Sequence, residues 1–160
     1  MTASTSHSLR LDYANVVDCV EGLPGAAGDG STDDTSAIQR AIDTGLHVVF
    51  PGRGYRVSRP LVFHDDDQRV TFLAGAQIVL VSSSASVHIT GKRQTFTGLW
   101  IHVGKDSSQN DVFPEPCLLV QGADDLLLQE PRVDCSAAAV PVRVKDSAGV
   151  TIVGGSLRSP

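Results

Sequence analysis

The stretch "LLVQGADDLLLQEPRVDC", residues 118–135, recurs without a gap 24 positions later as "VRVKDSAGVTIVGGSLRS", residues 142–159. The apolar positions of the two copies coincide, and the polar turn "GADD" falls on "DSAG". The superposed apolar pairs are Leu118 with Val142, Val120 with Val144, Leu126 with Val150, Leu128 with Ile152, and Val133 with Leu157. A fixed period of this kind predicts a repeat architecture.

Earlier copies of the pattern lie upstream, in "VHITGKRQTFTGLWIHV", residues 87–103. This copy pairs Ile89 with Val120, Phe96 with Leu128, and Ile101 with Val133. The same five-residue step that joins Phe96 to Ile101 joins Leu73 to Ile78, so we expect Leu73 to occupy the place of Phe96 one copy earlier. The longer step from Phe96 to the next copy contains an inserted loop, residues 104–116.

The segments between the turns are short and rich in β-branched and aromatic residues, as in His47 to Phe50, Tyr55 to Val57 and Leu61 to Phe63. A period of about 23–24 residues made only of strands and tight turns excludes helical repeats and predicts a parallel β-helix of about four rungs. Each rung of such a solenoid buries its inward residues by stacking on its neighbours. An uncovered end therefore exposes apolar residues and strand edges.

One helix is predicted upstream of the strands, in "GDGSTDDTSAIQRAID", residues 28–43. Thr32 or Asp33 suits the N-cap, and Asp33 and Asp34 in the first turn complement the helix dipole. A narrow apolar stripe supports a helix over about residues 33–44 and is formed by Ala37, Ile38, Ala41 and Ile42.

The predicted helix ends at Gly45, which suits a left-handed C-cap. We expect the helix to lie across the first mouth of the solenoid as a cap. The aspartates beside glycines also suggest calcium, but the ligand spacing of an EF-hand is missing, and no metal site is predicted.

Together with "VVFPGRGYRVSRPLVF", residues 48–63, this segment resembles the N-terminal signature of the pectate-lyase-like superfamily. These all-β proteins are right-handed parallel β-helices, common in bacteriophage tailspikes and in polysaccharide-degrading or epimerising enzymes. The resemblance covers about residues 14–64. It implies a capping role for Gly28, Asp29, Gly30, Thr32, Asp33 and Asp34. It assigns no catalytic residue and implies no cofactor.

The chain has 160 residues and a net charge of −5, which suits one domain with a core of its own. Its scattered lysines and arginines argue against nucleic-acid binding, and no apolar run is long enough to insert into a membrane. The first residues lack the pattern of a signal peptide. We expect a flexible arm over 1–13 and the capped β-helix over 14–160.

Three cysteines, Cys19, Cys117 and Cys135, match neither a disulfide framework nor a zinc site. Buried thiols are the first interpretation. A disulfide between Cys117 and Cys135 is the alternative.

Strand alternation places the apolar residues of 87–89 and 100–103 inward, so that His88, Trp100 and His102 point outward. An outward tryptophan beside histidine suits sugar stacking or a subunit contact, and an isolated surface aromatic is a third interpretation. Two histidines with no third ligand do not predict a metal site.

Outward acids lie on or near the inserted loop and its rung, namely Asp111, Glu115, Glu130 and Asp134. Glycosidase chemistry requires two carboxylates held about 5 to 9 Å apart, a distance that sequence does not set. A solvated rim is the simpler interpretation of these acids and equally of "HDDDQR", residues 64–69, which is predicted to be a turn between strands. The candidate glycan or subunit contacts are therefore Trp100, His102, Glu115 and Asp134.

The leading functional hypothesis is a bacteriophage tailspike or tail-fibre component, a trimeric β-helical segment for virion attachment and host surface glycan recognition. Because about four rungs precede the chain end, we expect an N-terminal portion of a longer protein or a short member covered by a partner. The expected partners are two further copies, other virion tail proteins and bacterial polysaccharide, and the expected location is the virion, released by lysis. The alternatives are a polysaccharide lyase, hydrolase or epimerase, and a purely structural virion protein. We do not expect this chain alone to be catalytic, although a longer parent could be a depolymerase.

Overall fold

The computed structural model describes residues 12–18, 20–104, 116–135 and 140–158. In chain order its elements are β1 (Tyr13–Asn15), β2 (Asp29–Asp33), α1 (Thr35–Ile42), β3 (His47–Phe50), β4 (Gly54–Val57), β5 (Leu61–Phe63), β6 (Arg69–Phe72), β7 (Gln77–Leu80), β8 (Val87–Ile89), β9 (Thr95–Thr97), β10 (Trp100–Val103), β11 (Leu118–Gln121), β12 (Leu127–Gln129), β13 (Arg132–Asp134), β14 (Val142–Lys145), β15 (Thr151–Val153) and β16 (Ser156–Arg158).

The strands form three sheets, which the chain visits in turn. Sheet I has the order β1-β3-β6-β9-β12-β15, sheet II the order β2-β4-β7-β10-β13-β16, and sheet III the order β5-β8-β11-β14. Neighbouring strands within each sheet are parallel. The protein is therefore a parallel β-solenoid of about five turns, consistent with the predicted right-handed β-helix. Complete three-strand coils run from β3 to β14, and a partial coil lies at each end of the described solenoid.

The register inferred from the repeat is confirmed in the later coils. Leu118 pairs with Val142 in sheet III. The same agreement holds for Leu128 with Ile152, Val133 with Leu157, Ile89 with Val120, Phe96 with Leu128, and Ile101 with Val133. The inserted loop falls between β10 and β11, and residues 105–115 of it lie outside the described residues.

The prediction that Leu73 takes the place of Phe96 one coil earlier is wrong. Val70 pairs with Phe96, and Leu73 is 49% exposed. The corner after β6 holds four residues, 73–76, whereas the corner after β9 holds two, 98–99. The extra residues carry Leu73 out of the strand, so the step of five residues to Ile78 is a coincidence of composition.

The interior is a continuous apolar core of inward residues stacked from coil to coil. The rings of Phe50 and Phe72 lie parallel, with centroids 4.2 Å apart, on paired strands of sheet I. Phe63 and Phe96 meet edge to face with centroids 5.0 Å apart. Such contacts add to the hydrophobic stabilisation of each coil and require the register to be kept.

The corner between sheets III and I repeats one backbone conformation in successive coils. Asp67, Arg93 and Asp125 have φ of 60°, 53° and 54°, the left-handed region. Their N–H groups bond to equivalent carbonyls of the next coil: Asp67 to Lys92, Arg93 to Asp124, and Asp125 to Ala148. The predicted turn at 64–69 forms the first part of this corner.

Ion pairs run along the same corner. Arg93 Nε lies 2.7 Å from Asp67 Oδ1, and Lys92 Nζ lies 3.1 Å from Asp124 Oδ2. The acids of residues 64–69 are therefore more than a solvated rim. Because the groups are exposed, each pair contributes little free energy, but together they favour one alignment of the coils.

Helix α1 is shorter than predicted. It runs from Thr35 to Ile42 instead of over residues 33–44, and its N-cap residue is Asp34, which makes no side-chain cap bond. The cap assignment to Thr32 or Asp33 is thus wrong, although Asp33 Oδ1 accepts the first helical N–H, that of Thr35. At the C-terminal end only the left-handed conformation of Gly45 is confirmed, with a φ of 67°, because the C-cap residue is Asp43, two positions earlier.

The helix occupies the place that a strand of sheet III would take in the first coil, because it follows β2 and packs on β5. Its side chains replace the missing strand pairing. Gln39 Nε2 donates to the carbonyl of Val62 at 3.0 Å, and Gln39 Oε1 accepts the N–H of Val62 at 2.9 Å. Thr35 Oγ1 accepts the N–H of Ser58 at 3.0 Å. The amide of Gln39 thus acts as a peptide group would and satisfies the edge of β5.

For two of the three cysteines the structure agrees with the alternative interpretation. Cys117 and Cys135 are buried and joined as a disulfide that links two successive coils at the corner between sheets II and III. Cys19 lies outside the described residues.

We predict that Gln39→Ala lowers the free energy of unfolding by about 1 to 2 kcal/mol, because Val62 loses both hydrogen-bond partners. Urea unfolding followed by circular dichroism measures this difference. The matched control is Ser36→Ala, an exposed change on the same helix that removes only the bond from Arg59 at 2.7 Å. Equal effects of the two substitutions would contradict the strand-replacing role of Gln39.

Candidate functional site

The outer face of sheet II brings together three of the four predicted contact residues. Trp100 and His102 point outward from β10, and Asp134 points outward from the neighbouring strand β13. In the parallel register Trp100 lies beside Arg132, and His102 lies beside Asp134. We call Trp100, His102, Arg132 and Asp134 the Trp100 cluster. Glu115, the fourth predicted residue, lies outside the described residues.

Two contacts hold the indole of Trp100 in place. Its Nε1–H donates to Asp134 Oδ2 at 3.2 Å. The guanidinium carbon of Arg132 lies 4.8 Å from the ring centroid, within the range of a cation–π interaction. The tryptophan is therefore half-buried and fixed by its neighbours, and it is not an isolated surface aromatic.

The cluster lies in the middle of a longer outward surface. Gln77 and Val79 precede it on β7, and Ser156 and Arg158 follow it on β16. Because neighbouring strands lie about 4.8 Å apart, the outward row from β4 to β16 is roughly 19 Å long. This length suits an extended ligand of several units along the solenoid axis.

Along the row from β4 to β16 the carboxylate chemistry is limited to one group, whereas β2, the first strand of the same sheet, carries Asp29 and Asp33. Among the described outward residues of β4, β7, β10, β13 and β16, only Asp134 carries a carboxylate. Its in-register neighbours are His102 and Arg158. The two carboxylates that glycoside hydrolysis requires are therefore not paired within this described row. The arrangement provides an aromatic surface, cationic donors and one acceptor, which suit binding.

Arg132 was missed by the sequence analysis. The signal was present, because the 32-residue step that pairs Ile101 with Val133 also places Trp100 beside Arg132. Glu130 lies at the corner before β13 with a φ of 51°, outside the Trp100 cluster.

The six residues of the cap motif form a second polar group, at the first coil. Asp29 accepts the N–H groups of Ser31 and Thr32 at 2.8 and 2.7 Å and the hydroxyl of Thr32 at 2.8 Å. Gly28 and Gly30 have φ of 61° and 73° in this turn. The N–H groups of Thr32 and Ser31 hold the pKa of Asp29 well below its usual range.

Asp33 and Asp34 are adjacent in sequence, and their pKa values are shifted in opposite directions. Partial burial raises the pKa of Asp33, but hydrogen bonds from Ser58 and Thr35 outweigh it, so the net pKa is below its usual value. Asp34 is only 1% exposed, and this burial raises its pKa. The N–H groups of residues 27 and 28, which donate to Asp34, offset the rise only in part.

The described residues contain no group of three metal-ligating side chains close enough to hold an ion. No helix in the described part of the chain is long and apolar enough to cross a membrane.

Residues 14–118 match the family model described as rhamnogalacturonase A/epimerase, pectate lyase-like. The chain belongs to this pectate-lyase-like family. The matched range contains the cap, the first two complete coils and the strands of the third up to the start of β11. No curated protein and no solved structure matches the chain significantly. The family and the fold indicate a function related to polysaccharides.

We predict that Asp33 and Asp34 affect stability in opposite directions as pH changes. With its lowered pKa, Asp33 stabilises the fold above about pH 4, and this contribution is lost as pH falls through the folded pKa. With its raised pKa, Asp34 contributes fully below about pH 4, and this contribution is lost as pH rises through the folded pKa.

Urea unfolding at about pH 3 and pH 6 tests both signs. The deficit of Asp33→Asn relative to the unmodified protein should be larger at pH 6, and the deficit of Asp34→Asn should be larger at pH 3. Profiles that stay parallel for both variants would contradict the assignment.

Proposed function

We propose that this pectate-lyase-like chain binds a bacterial surface polysaccharide along the outer face of sheet II, with the Trp100 cluster as the contact. The observation that carries the proposal is the outward indole of Trp100, which Arg132 and Asp134 hold in place on the outer face of sheet II. An aromatic ring held in one orientation binds a sugar with little loss of side-chain entropy. Arg132 and Asp134 add a donor and an acceptor for hydroxyl or carboxylate groups.

The finer hypothesis is that the chain is part of a bacteriophage tailspike or tail fibre, which attaches to the virion and recognises the host glycan. Its support is the resemblance of the capping signature to that class of β-helix. Binding without turnover is the expected behaviour of these coils, because Asp134 has no carboxylate neighbour in register.

An enzymatic role is the second candidate, since the family description names a hydrolase and an epimerase. A reducing-end assay and an unsaturated-product assay on rhamnogalacturonan and on bacterial capsule preparations separate the two candidates. Reproducible turnover that Asp134→Asn abolishes would favour the enzyme. Binding in the absence of turnover would favour recognition.

Trp100 is the single tryptophan of the chain, so intrinsic fluorescence reports directly on the proposed contact. We predict that a recognised polysaccharide changes this fluorescence in a saturable manner. Arg132→Gln should weaken binding by about tenfold, because a charge-assisted contact and the support of the ring are lost together.

The matched control for this titration is Arg69→Gln, an exposed change on sheet I. It should leave the dissociation constant unchanged. Equal weakening by both substitutions would indicate a general charge effect and would contradict a contact at Trp100.

As part of the tailspike hypothesis, the proposed assembly is a homotrimer. Val144, Ile152 and Leu157 are 42–49% exposed, whereas their in-register partners one coil earlier are at most 1% exposed. Apolar inward positions left open in this way need cover, from further coils or from other subunits.

We predict a mass of three times 16.9 kDa for this chain in solution at high concentration. Light scattering coupled to gel filtration measures it. A stable monomer would contradict trimerisation of the chain alone, and a trimer unaffected by Trp100→Ala would place the subunit contact away from Trp100.

A further inference from the structure

The corner between sheets II and III becomes longer along the solenoid. Its connections are residues 58–60 and 81–86 in the earlier coils, and residues 104–117 and 135–141 in the later ones. A longer connection restrains the ends of its strands less, because a longer chain can span the same gap in more ways. The chain itself therefore restrains the ends of β10 and β13 less than the ends of β4 and β7.

The Cys117–Cys135 disulfide lies between these two long connections. Cys117 directly precedes β11, at the end of the first connection, and Cys135 directly follows β13, at the start of the second. The bond thus ties the end of β13 to the coil before it. A covalent link of this kind limits how far two segments can separate, whatever the length of the loops around them.

The end of β13 also carries the acceptor that holds the indole of Trp100. Asp134 is the last residue of β13 and is directly followed by Cys135. The N–H of Cys135 donates to the carbonyl of Arg158 at 3.1 Å, in the last described coil. Because the apolar residues of that coil are exposed, it is the weaker anchor, and the disulfide to Cys117 is the firmer one. The position of Asp134 therefore depends on the disulfide.

The contact between Asp134 and the indole is sensitive to small movements. Its length of 3.2 Å is at the upper end of normal N–H···O distances, so a displacement of about 1 Å breaks it. The guanidinium of Arg132 lies 4.8 Å from the ring centroid, and a cation–π contact extends to about 6 Å. The hydrogen bond is therefore the contact through which a movement at Cys135 first reaches Trp100.

We propose that the Cys117–Cys135 disulfide is a redox-sensitive device that positions Asp134 in the Trp100 cluster. When a dithiol reductant transfers two electrons and two protons to it, the S–S bond becomes two thiols and the reductant becomes a disulfide. The end of β13 is then released, Asp134 moves away from the indole, and the ring loses its fixed orientation. The consequence for polysaccharide binding rests on the proposed function, whereas the change at the indole does not.

The surroundings in which the chain folds set the state of this device. Both cysteines are buried, so a thiol reaches the bond slowly once the corner has closed. Disulfides form and persist in oxidising surroundings, and thiols stay reduced in reducing ones. The Trp100 cluster is therefore complete in oxidising surroundings and incomplete in reducing ones.

The indole N–H signal in nitrogen–proton correlation spectra tests the proposal without any ligand. Trp100 is the single tryptophan, so the spectrum contains one such signal. Full reduction with dithiothreitol should move this signal and speed the exchange of Nε1–H with water at least about tenfold, because a hydrogen bond to a charged acceptor is lost. Free-thiol titration confirms the reduction, and the amide signals of β3 to β8 show whether the earlier coils stay folded.

Two variants identify the groups responsible. Asp134→Ala should give the fast-exchanging indole already in the oxidised protein and remove the response to reductant, because the acceptor is absent. Cys19→Ala is the matched control, since it removes the third thiol of the chain and should leave the response unchanged. If reduction unfolds the chain, the double variant Cys117→Ala and Cys135→Val takes its place, because apolar side chains keep the core filled without the bond.

Binding is measured separately, by the fluorescence of Trp100 with rhamnogalacturonan and bacterial capsule preparations as the probes. Reduction should weaken the binding of a recognised polysaccharide about tenfold. Binding that reduction leaves unchanged would contradict the coupling to the site. If neither form binds any probe, the proposed function fails, and the indole signal alone decides whether the disulfide positions Asp134.

An indole response that requires Asp134 but not Cys19 would support the device. An unchanged indole signal in the reduced, folded protein would overturn it, and so would an equal response in Asp134→Ala or a response that Cys19→Ala abolishes. Loss of the earlier coils in both the reduced protein and the double variant would also overturn it, because the disulfide would then support the whole solenoid and not the cluster.

Discussion

Everything in this protein depends on the stacking of inward residues in register from one coil to the next. A single coil has no core of its own, because its apolar side chains are covered only by the coils above and below it. Val120 is fully buried between Ile89 and Val144, whereas Val144, at the last described coil, is 49% exposed. Stability therefore depends on contacts between neighbouring coils, as in other solenoids, and a coil at an end needs cover of another kind. At the first coil helix α1 provides this cover, and its Gln39 pairs with the edge of β5 as a peptide group would.

The register of the strands is kept although the connections between them vary in length. Paired residues in sheet I are separated by 22, 26, 32 and 24 positions, from Val48 through Val70, Phe96 and Leu128 to Ile152. The variation is absorbed in the corners and in the loop after β10. The left-handed residues between sheets III and I return the chain to the same point in each coil, and the ion pairs of Arg93 and Lys92 favour that alignment. Length can thus be added between strands at low cost, because the inward positions do not move.

The sequence predicted the register wherever the corners had similar lengths, and it failed where they did not. The 24-residue step is free of gaps, so the apolar pairs of the last coils could be read directly from it. Leu73 was misplaced because an apolar residue in a longer corner imitated a strand position. The helix was expected to begin two residues too early because its acids suit a first turn, but Asp34 accepts N–H groups of the preceding turn, and Asp33 lies in β2 and bonds to Ser58 as well as to the first helical N–H. The interaction of Gln39 with Val62 had no local signal, since it depends on a helix replacing a strand.

The outer faces follow a different rule, and this explains how much of the candidate site could be predicted. Alternation alone showed that Trp100 and His102 point outward, but Arg132 lies 32 residues away and becomes a neighbour only through the register. Outward residues do not support the core, so these positions can change without loss of the coil. A cation–π contact with Arg132 and a hydrogen bond to Asp134 hold the indole of Trp100 in one orientation. This arrangement requires no contribution from the interior residues. The same separation operates at the cap, where α1 satisfies β5 with Gln39, while Arg40 and Arg59 bond to Pro24 and Ser36 on its outer side. In both places the fold fixes the backbone, and the chemistry depends on which outward side chains the register brings together.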